Sequence, residues 1–159
     1  EAMSTQPMTL NGKMLLEAEL KELTQVERPK VILAIEEARS HGDLSENADY
    51  DAAKERQGFI ESRIADLKGK LAEAQVVDPS RLKSETVIFG AHVKLLDCES
   101  EDELTYQIVG EDESDVRNGK LSVFSPLARS IIGKKKGDSV EFQSPKGEKE
   151  YEILNLYFE

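Results

Sequence analysis

The spacing of apolar side chains changes once along the chain, near Asp78-Pro79, and the change divides it in two. Ahead of that point the period is helical. Tyr50, Ala53, Gln57, Ile60, Ile64, Leu67, Leu71 and Ala74 alternate three and four residues apart, the seam of an antiparallel coiled coil that needs a facing partner. The partner lies upstream in two stripes: Leu16, Leu20 and Leu23, then Val31, Ile35 and Ala38. Pro29 stands between them and cannot donate its amide inside a helix. It predicts a break or kink near Val26 to Pro29, with Pro29 in the first turn of the resumed helix. Thr9 or Asn11 is the expected N-cap of the first helix. Two arms of roughly thirty residues joined by a short loop must run out and back, a hairpin on the order of 45 Å long. A two-helix projection of that length has little core of its own, and its natural use is reach.

After Pro79 the period becomes two. Candidate strands are Val87 to Leu96, Leu104 to Val109, Lys120 to Val123, Ser139 to Phe142 and Glu148 to Tyr157, separated by turn-forming stretches. The closing Asn155-Leu-Tyr-Phe-Glu159 resembles a protease-tag fragment, but its alternation suits a last strand, and the strand is preferred. Ser125 can cap a short helix, Pro126 suits its first position, and Gly133 ends it. The fold class expected is α+β. An N-terminal antiparallel coiled-coil hairpin over residues 8–77 precedes a small domain over residues 80–159, a twisted antiparallel sheet with one short helix.

Composition narrows the function. Of 159 residues, 33% are charged and 38% hydrophobic, which suits a soluble folded chain. No apolar run is long enough to span a bilayer, and no signal peptide is read at the start, where Glu1-Ala2 ahead of Met3 looks like a cloning scar. Cys98 is the only cysteine, so a disulfide framework and a thiolate metal cluster are both excluded and a reducing cytoplasm is expected. A formal net charge of −11 argues against coating duplex DNA by bulk attraction. Contact with nucleic acid would need a local basic patch or another protein.

Chemistry concentrates in Gly42 to Tyr50, GDLSENADY, at the turn of the hairpin. Two readings are open. In one, Gly42 ends the ascending helix in a left-handed cap, Asp43 and Glu46 form a capping box, and Asp49 and Asp51 meet the positive end of the helix dipole, each worth about 0.3–1 kcal/mol. In the other, Asp43 and Glu46 bind a divalent cation jointly with another molecule. Two carboxylates do not complete the octahedral oxygen shell of magnesium, so the remaining ligands would come from whatever the arm enters.

The run RSHGDLSENADYDAAKERQGFIESRI, Arg39 to Ile64, resembles the GreA/GreB family of transcript cleavage factors of bacterial RNA polymerase, nearer its GreA branch. Val87-Ile88-Phe89-Gly90-Ala91, Ser125 to Lys134 and Pro7-Met8-Thr9-Leu10 fit the same family, so the resemblance runs from about Met8 to Tyr157. It implies an FKBP-like globular domain that docks at the rim of the polymerase's secondary channel. The coiled coil then enters the channel and brings its tip to the catalytic centre, where the 3′ end of backtracked RNA is extruded. The family's acidic tip pair falls on Asp43 and Glu46, which are implied to hold Mg2+ together with the polymerase and to promote cleavage of the RNA. The chain alone would have no nuclease activity.

The resemblance also gives Tyr50 a role near the RNA end, beside its reading as seam packing. Arg39 and Lys54 are implied to contact RNA, beside their reading as a solvated face. Ser125, Pro126, Ala128 and Arg129 are the expected polymerase contacts. Asp49 and Asp51 add acids to the tip. Some proteins of this fold carry extra tip acids and inhibit polymerase, so a secondary-channel inhibitor is the alternative function. His92 and His41 lack metal-ligand spacing, Lys134-Lys135-Lys136 reads as a solvated turn, and a monomer is expected because a single arm must fit a channel.

Overall fold

The computed structural model describes residues 6–42 and 47–159. They form two compact units: residues 13–74, and the described residues up to 12 together with 75–159. Residues 8–12 and 75–77, expected in the hairpin, thus belong with the second unit. The cause is a strand pairing absent from the sequence reading: Gln6–Thr9 (β1) and Ala74–Val77 (β2) form a two-stranded sheet. Thr9 also caps helix Leu10–Glu22 (α1), its Oγ1 accepting the Gly12 amide at 3.1 Å. Its own amide donates to Glu113 Oε2 at 2.8 Å, and its hydroxyl donates to Glu113 Oε1. The Gly110 amide shares the same carboxylate at 2.9 Å. Glycine is required at position 12 because a Cβ there would overlap the Glu113 side chain.

In the hairpin unit, α1 is followed by a π-helical turn, Leu23–Glu27, and then by helices Arg28–Arg39 (α2) and Ala48–Glu73 (α3). The two upstream stripes explain the turn. From Leu23 to Val31 is eight residues, where a heptad seam gives seven. A π turn takes up the extra residue, and the Arg28 amide accordingly reaches back to the Leu23 carbonyl. Pro29 sits in the first turn of α2, directly after the π turn that widens the helix. The expected break is therefore a widened turn.

The seam buries Val31, Ile60 and Ile64, with Leu20 and Leu23 packed against them, and Leu67 is fully buried. Burial of each such side chain stabilises by about 1.5–3 kcal/mol. Ion pairs flank the seam: Arg28 makes two bonds to Glu61 at 2.7 and 2.8 Å, Arg63 two to Glu19 at 2.8 and 2.9 Å, and Arg56 one to Glu27 at 2.5 Å. Hydrogen bonds from Arg63 and Arg28 hold the Glu19 and Glu61 carboxyls below their ordinary range.

The second unit carries a five-stranded sheet of His92–Asp97 (β3), Glu103–Val109 (β4), Lys120–Ser122 (β5), Ser139–Ser144 (β6) and Gly147–Tyr157 (β7), in the order β5-β4-β3-β7-β6. Three pairings are antiparallel, but β5 runs parallel to β4, which corrects the all-antiparallel sheet. Short helical turns at Glu111–Glu113 and Val116–Asn118 interrupt the connection, so it is not a simple hairpin reversal. Strand β3 starts at His92, not Val87. Gly90 adopts φ +91, and the Ala91 amide bonds the Ile88 carbonyl, so the chain turns before the ladder begins.

Helix Pro126–Ile131 (α4) contributes Leu127, Ala128 and Ile131 to one continuous core with Val87, Val93, Leu95, Ile108, Val140, Tyr151 and Ile153. His92 stacks on Tyr157 with ring centroids 4.9 Å apart, and burial pushes its pKa down. Among the described residues no helix is long and apolar enough to cross a membrane.

Candidate functional site at the hairpin tip

The ends of α2 and α3 are described on both sides of the tip; Asp43 and Glu46 lie outside the described residues. The last turn of α2 closes with the His41 amide on the Ala38 carbonyl at 3.2 Å and the Gly42 amide on the Arg39 carbonyl at 3.3 Å. Gly42 has φ +101, the left-handed conformation that glycine adopts without a Cβ clash.

The start of α3 corrects the capping reading. Its N-cap is Asn47, whose Oδ1 accepts the Tyr50 amide at 3.1 Å. The other end of the same carboxamide crosses to the opposite arm, with Nδ2 donating to the Ala38 carbonyl at 2.5 Å. The N-cap position of α3 is thus Asn47 and not Asp43. Asp49 and Asp51 are exposed in the first turn of α3, where negative charge meets the helix dipole.

Two of the three residues expected to meet RNA come together. The Arg39 guanidinium lies 6.0 Å from the centroid of the Tyr50 ring, a cation–π distance. Arg39 is exposed and Tyr50 half-buried. Lys54, one turn further along α3, is exposed and donates to Gln57 Oε1 at 3.2 Å. Asn47 is not among the residues the sequence reading singles out. The signal available was its place directly before the seam, where Asn is among the best N-caps.

The expected contact segment of the second unit is corrected in part. Ala128 is 0% exposed and belongs to the core. The Ser125 hydroxyl is occupied, donating to the Ser122 carbonyl at 2.8 Å and accepting the Ala128 amide at 3.2 Å. Pro126 and Arg129 are exposed, and so are Phe124 at 45% and Ile132 at 36%. Phe124 was legible in principle. It occupies the position before the N-cap, where an apolar residue packs on the fourth helical residue; that residue is Arg129, so Phe124 has no apolar partner there.

The chain is thus of the α+β class, a helical hairpin joined to a sheet unit, with a cation and an aromatic ring brought together near the hairpin turn. Family models described as "Transcription elongation factor, N-terminal" and "Transcription elongation factor, GreA/GreB, C-term" match residues 6–76 and 82–158. The chain belongs to the GreA/GreB family of transcription elongation factors. It is 58% identical over 150 residues to transcription elongation factor GreA of Maricaulis maris (strain MCS10), covering 94% of this chain and 96% of that one. It is 60% identical over 150 residues to GreA of Phenylobacterium zucineum (strain HLK1), with the same coverage. The solved GreA factor homolog 1 (Gfh1) protein of Thermus thermophilus aligns over 96% of this chain and 99% of its own, at 24% identity and a TM-score of 0.44.

Proposed function

We propose that the chain rescues backtracked bacterial RNA polymerase. It inserts its coiled coil into the secondary channel and stimulates the polymerase's magnesium-dependent endonucleolytic cleavage of the RNA 3′ end. The observation that carries this reading is the division of labour at the tip. Asn47 holds the N-cap position of α3, and the Arg39 cation and Tyr50 ring are paired within a few residues in sequence of the acidic pair.

Asp43 and Glu46 are hard oxygen donors of the kind magnesium takes, too few for its shell, and so they fit a site shared with polymerase. When bound there, the ion supplies Lewis-acid stabilisation of the phosphoryl oxygens and a more acidic water. The chain's own residues bind and orient. Arg39 and Lys54 offer cations to RNA phosphates, and Tyr50 offers a ring on which a base can stack. Phe124, Pro126, Arg129 and Ile132 give the second unit an apolar and basic surface for polymerase. The chain works as a cytoplasmic monomer and is not a nuclease by itself.

The test is a backtracked elongation complex with end-labelled RNA, magnesium and matched polymerase. Wild type is expected to release a short 3′ fragment rapidly. Asp43→Ala and Glu46→Ala are expected to abolish that release while still competing for polymerase. Normal cleavage by both variants overturns the shared site, and slowed elongation without cleavage by the wild type means an inhibitor.

A further inference from the structure

We infer that Asn47 is a positioning residue: its carboxamide ties the arms together so that Arg39 from α2 and Tyr50 from α3 form one RNA-facing pair. The inference rests on the function proposed above and deepens it. Asn47 Oδ1 holds the Tyr50 amide, and Nδ2 holds the carbonyl of Ala38, the residue directly before Arg39. One side chain thus bonds the backbone next to each member of a pair whose guanidinium and ring are 6.0 Å apart. Ala38 is itself only 3% exposed, so its carbonyl sits on a packed part of the seam and gives the bond a firm anchor.

Capping alone does not account for asparagine. Asp and Ser cap helices about as well, and Asp would in addition favour the positive end of the helix dipole. Asp has no donor for the Ala38 carbonyl, and the single, shorter-reaching hydroxyl of Ser would have to serve both arms with one atom. Asp would also set a carboxylate against that oxygen, beside Asp49 and Asp51. Asn is the good cap whose acceptor and donor are separate atoms, so it accepts on one arm and donates to the other. The cross-arm bond is then what the residue adds beyond helix initiation. Without it, α2 and α3 are free to shift at the tip, and the cation and ring lose their common orientation. Small misplacements of groups that orient a reacting chain carry large rate effects.

The experiment compares wild type with Asn47→Ser and Asn47→Asp, each in the parent chain and in a Tyr50→Ala chain, using the backtracked complex. Both substitutions keep a cap acceptor; Asp removes the cross-arm donor, and Ser withdraws it to a single hydroxyl on a shorter side chain. Helicity at 222 nm and the thermal midpoint are expected to stay near wild type, as is the concentration giving half-maximal cleavage. The saturated cleavage rate is expected to fall on the order of tenfold, as for a misplaced orienting group. In the Tyr50→Ala background the same substitutions are expected to cost nothing further, because residues that act as one unit are not additive. A merely structural Asn47 would lower the rate equally in both backgrounds, and that result overturns the inference. Wild-type rates from both variants at saturation also overturn it while leaving the proposed function standing. A wild type that releases no RNA fragment removes the proposed function and this inference together.

Discussion

The two units solve the same problem of burying apolar surface with unequal means. The sheet unit closes a continuous core around α4, with Val87, Ala91, Val93, Leu95, Ile108, Ala128, Ile131 and Ile153 all at 0% exposure. The hairpin has a seam one side chain wide, and its order depends on what flanks it: bidentate ion pairs, a π turn and the Asn47 bridge. The lesson is that position in the hairpin is set by polar groups, whereas position in the sheet unit is set by packing. That makes the hairpin the more sensitive unit to pH and salt.

The strongest way to break the comparison is to cut a cavity in each unit. Ile108→Ala removes a side chain packed on all sides and is expected to cost about 2–5 kcal/mol. It should be read as loss of near-ultraviolet tyrosine dichroism at lower denaturant, since Tyr106, Tyr151 and Tyr157 lie in that unit. Ile60→Ala opens a seam that can collapse from its exposed sides, so about 2 kcal/mol, the low end of the range, is expected. It should be read at 222 nm. Equal costs at both sites would mean that the seam is packed as rigidly as the sheet core.

A smaller and more selective effect comes from acid. Glu19 and Glu61 have lowered carboxyl pKa values, set first by hydrogen bonds from Arg63 and Arg28. Groups depressed on folding stabilise above their unfolded pKa and lose that contribution as pH falls through the folded one. The hairpin transition is therefore expected to weaken below the ordinary glutamate value of 4.5. Asp97 in the sheet unit, lowered by Lys149 and by the Glu99 and Ser100 amides, delays its own loss until below 3.8. Thermal scans between neutral pH and pH 3 should separate the two, and coincident acid midpoints would contradict the assignment.

Much of this was legible because side-chain period reports which face is buried. The switch near Pro79 gave both units, and the strands from Leu104, Ser139 and Glu148 lie within a few residues of where alternation put them. What escaped depends on partners distant in sequence. Alternation has the same period in parallel and antiparallel strands, so the direction of β5 was silent. Val87 to Ala91 has strand-like composition, but Gly90 turns it. The pairing of β1 with β2 joins segments on either side of the whole hairpin, beyond any local pattern. At the tip, the acidic motif was conspicuous, while the Asn47 bridge needs the two arms side by side before its second bond has an acceptor.

The bond from Thr9 to Glu113 spans 104 residues, and it has a consequence for how the chain is made. Thr9 leaves the ribosome well before Glu113 and cannot reach that partner until the later turn has been synthesised. Closing so large a loop in an open chain is entropically unfavourable and slow. The hairpin fills most of that interval, and once its arms pair, β1 and β2 are left as neighbours at its two ends. The hairpin would thus serve as a folding clamp, shortening the search that the sheet unit must complete.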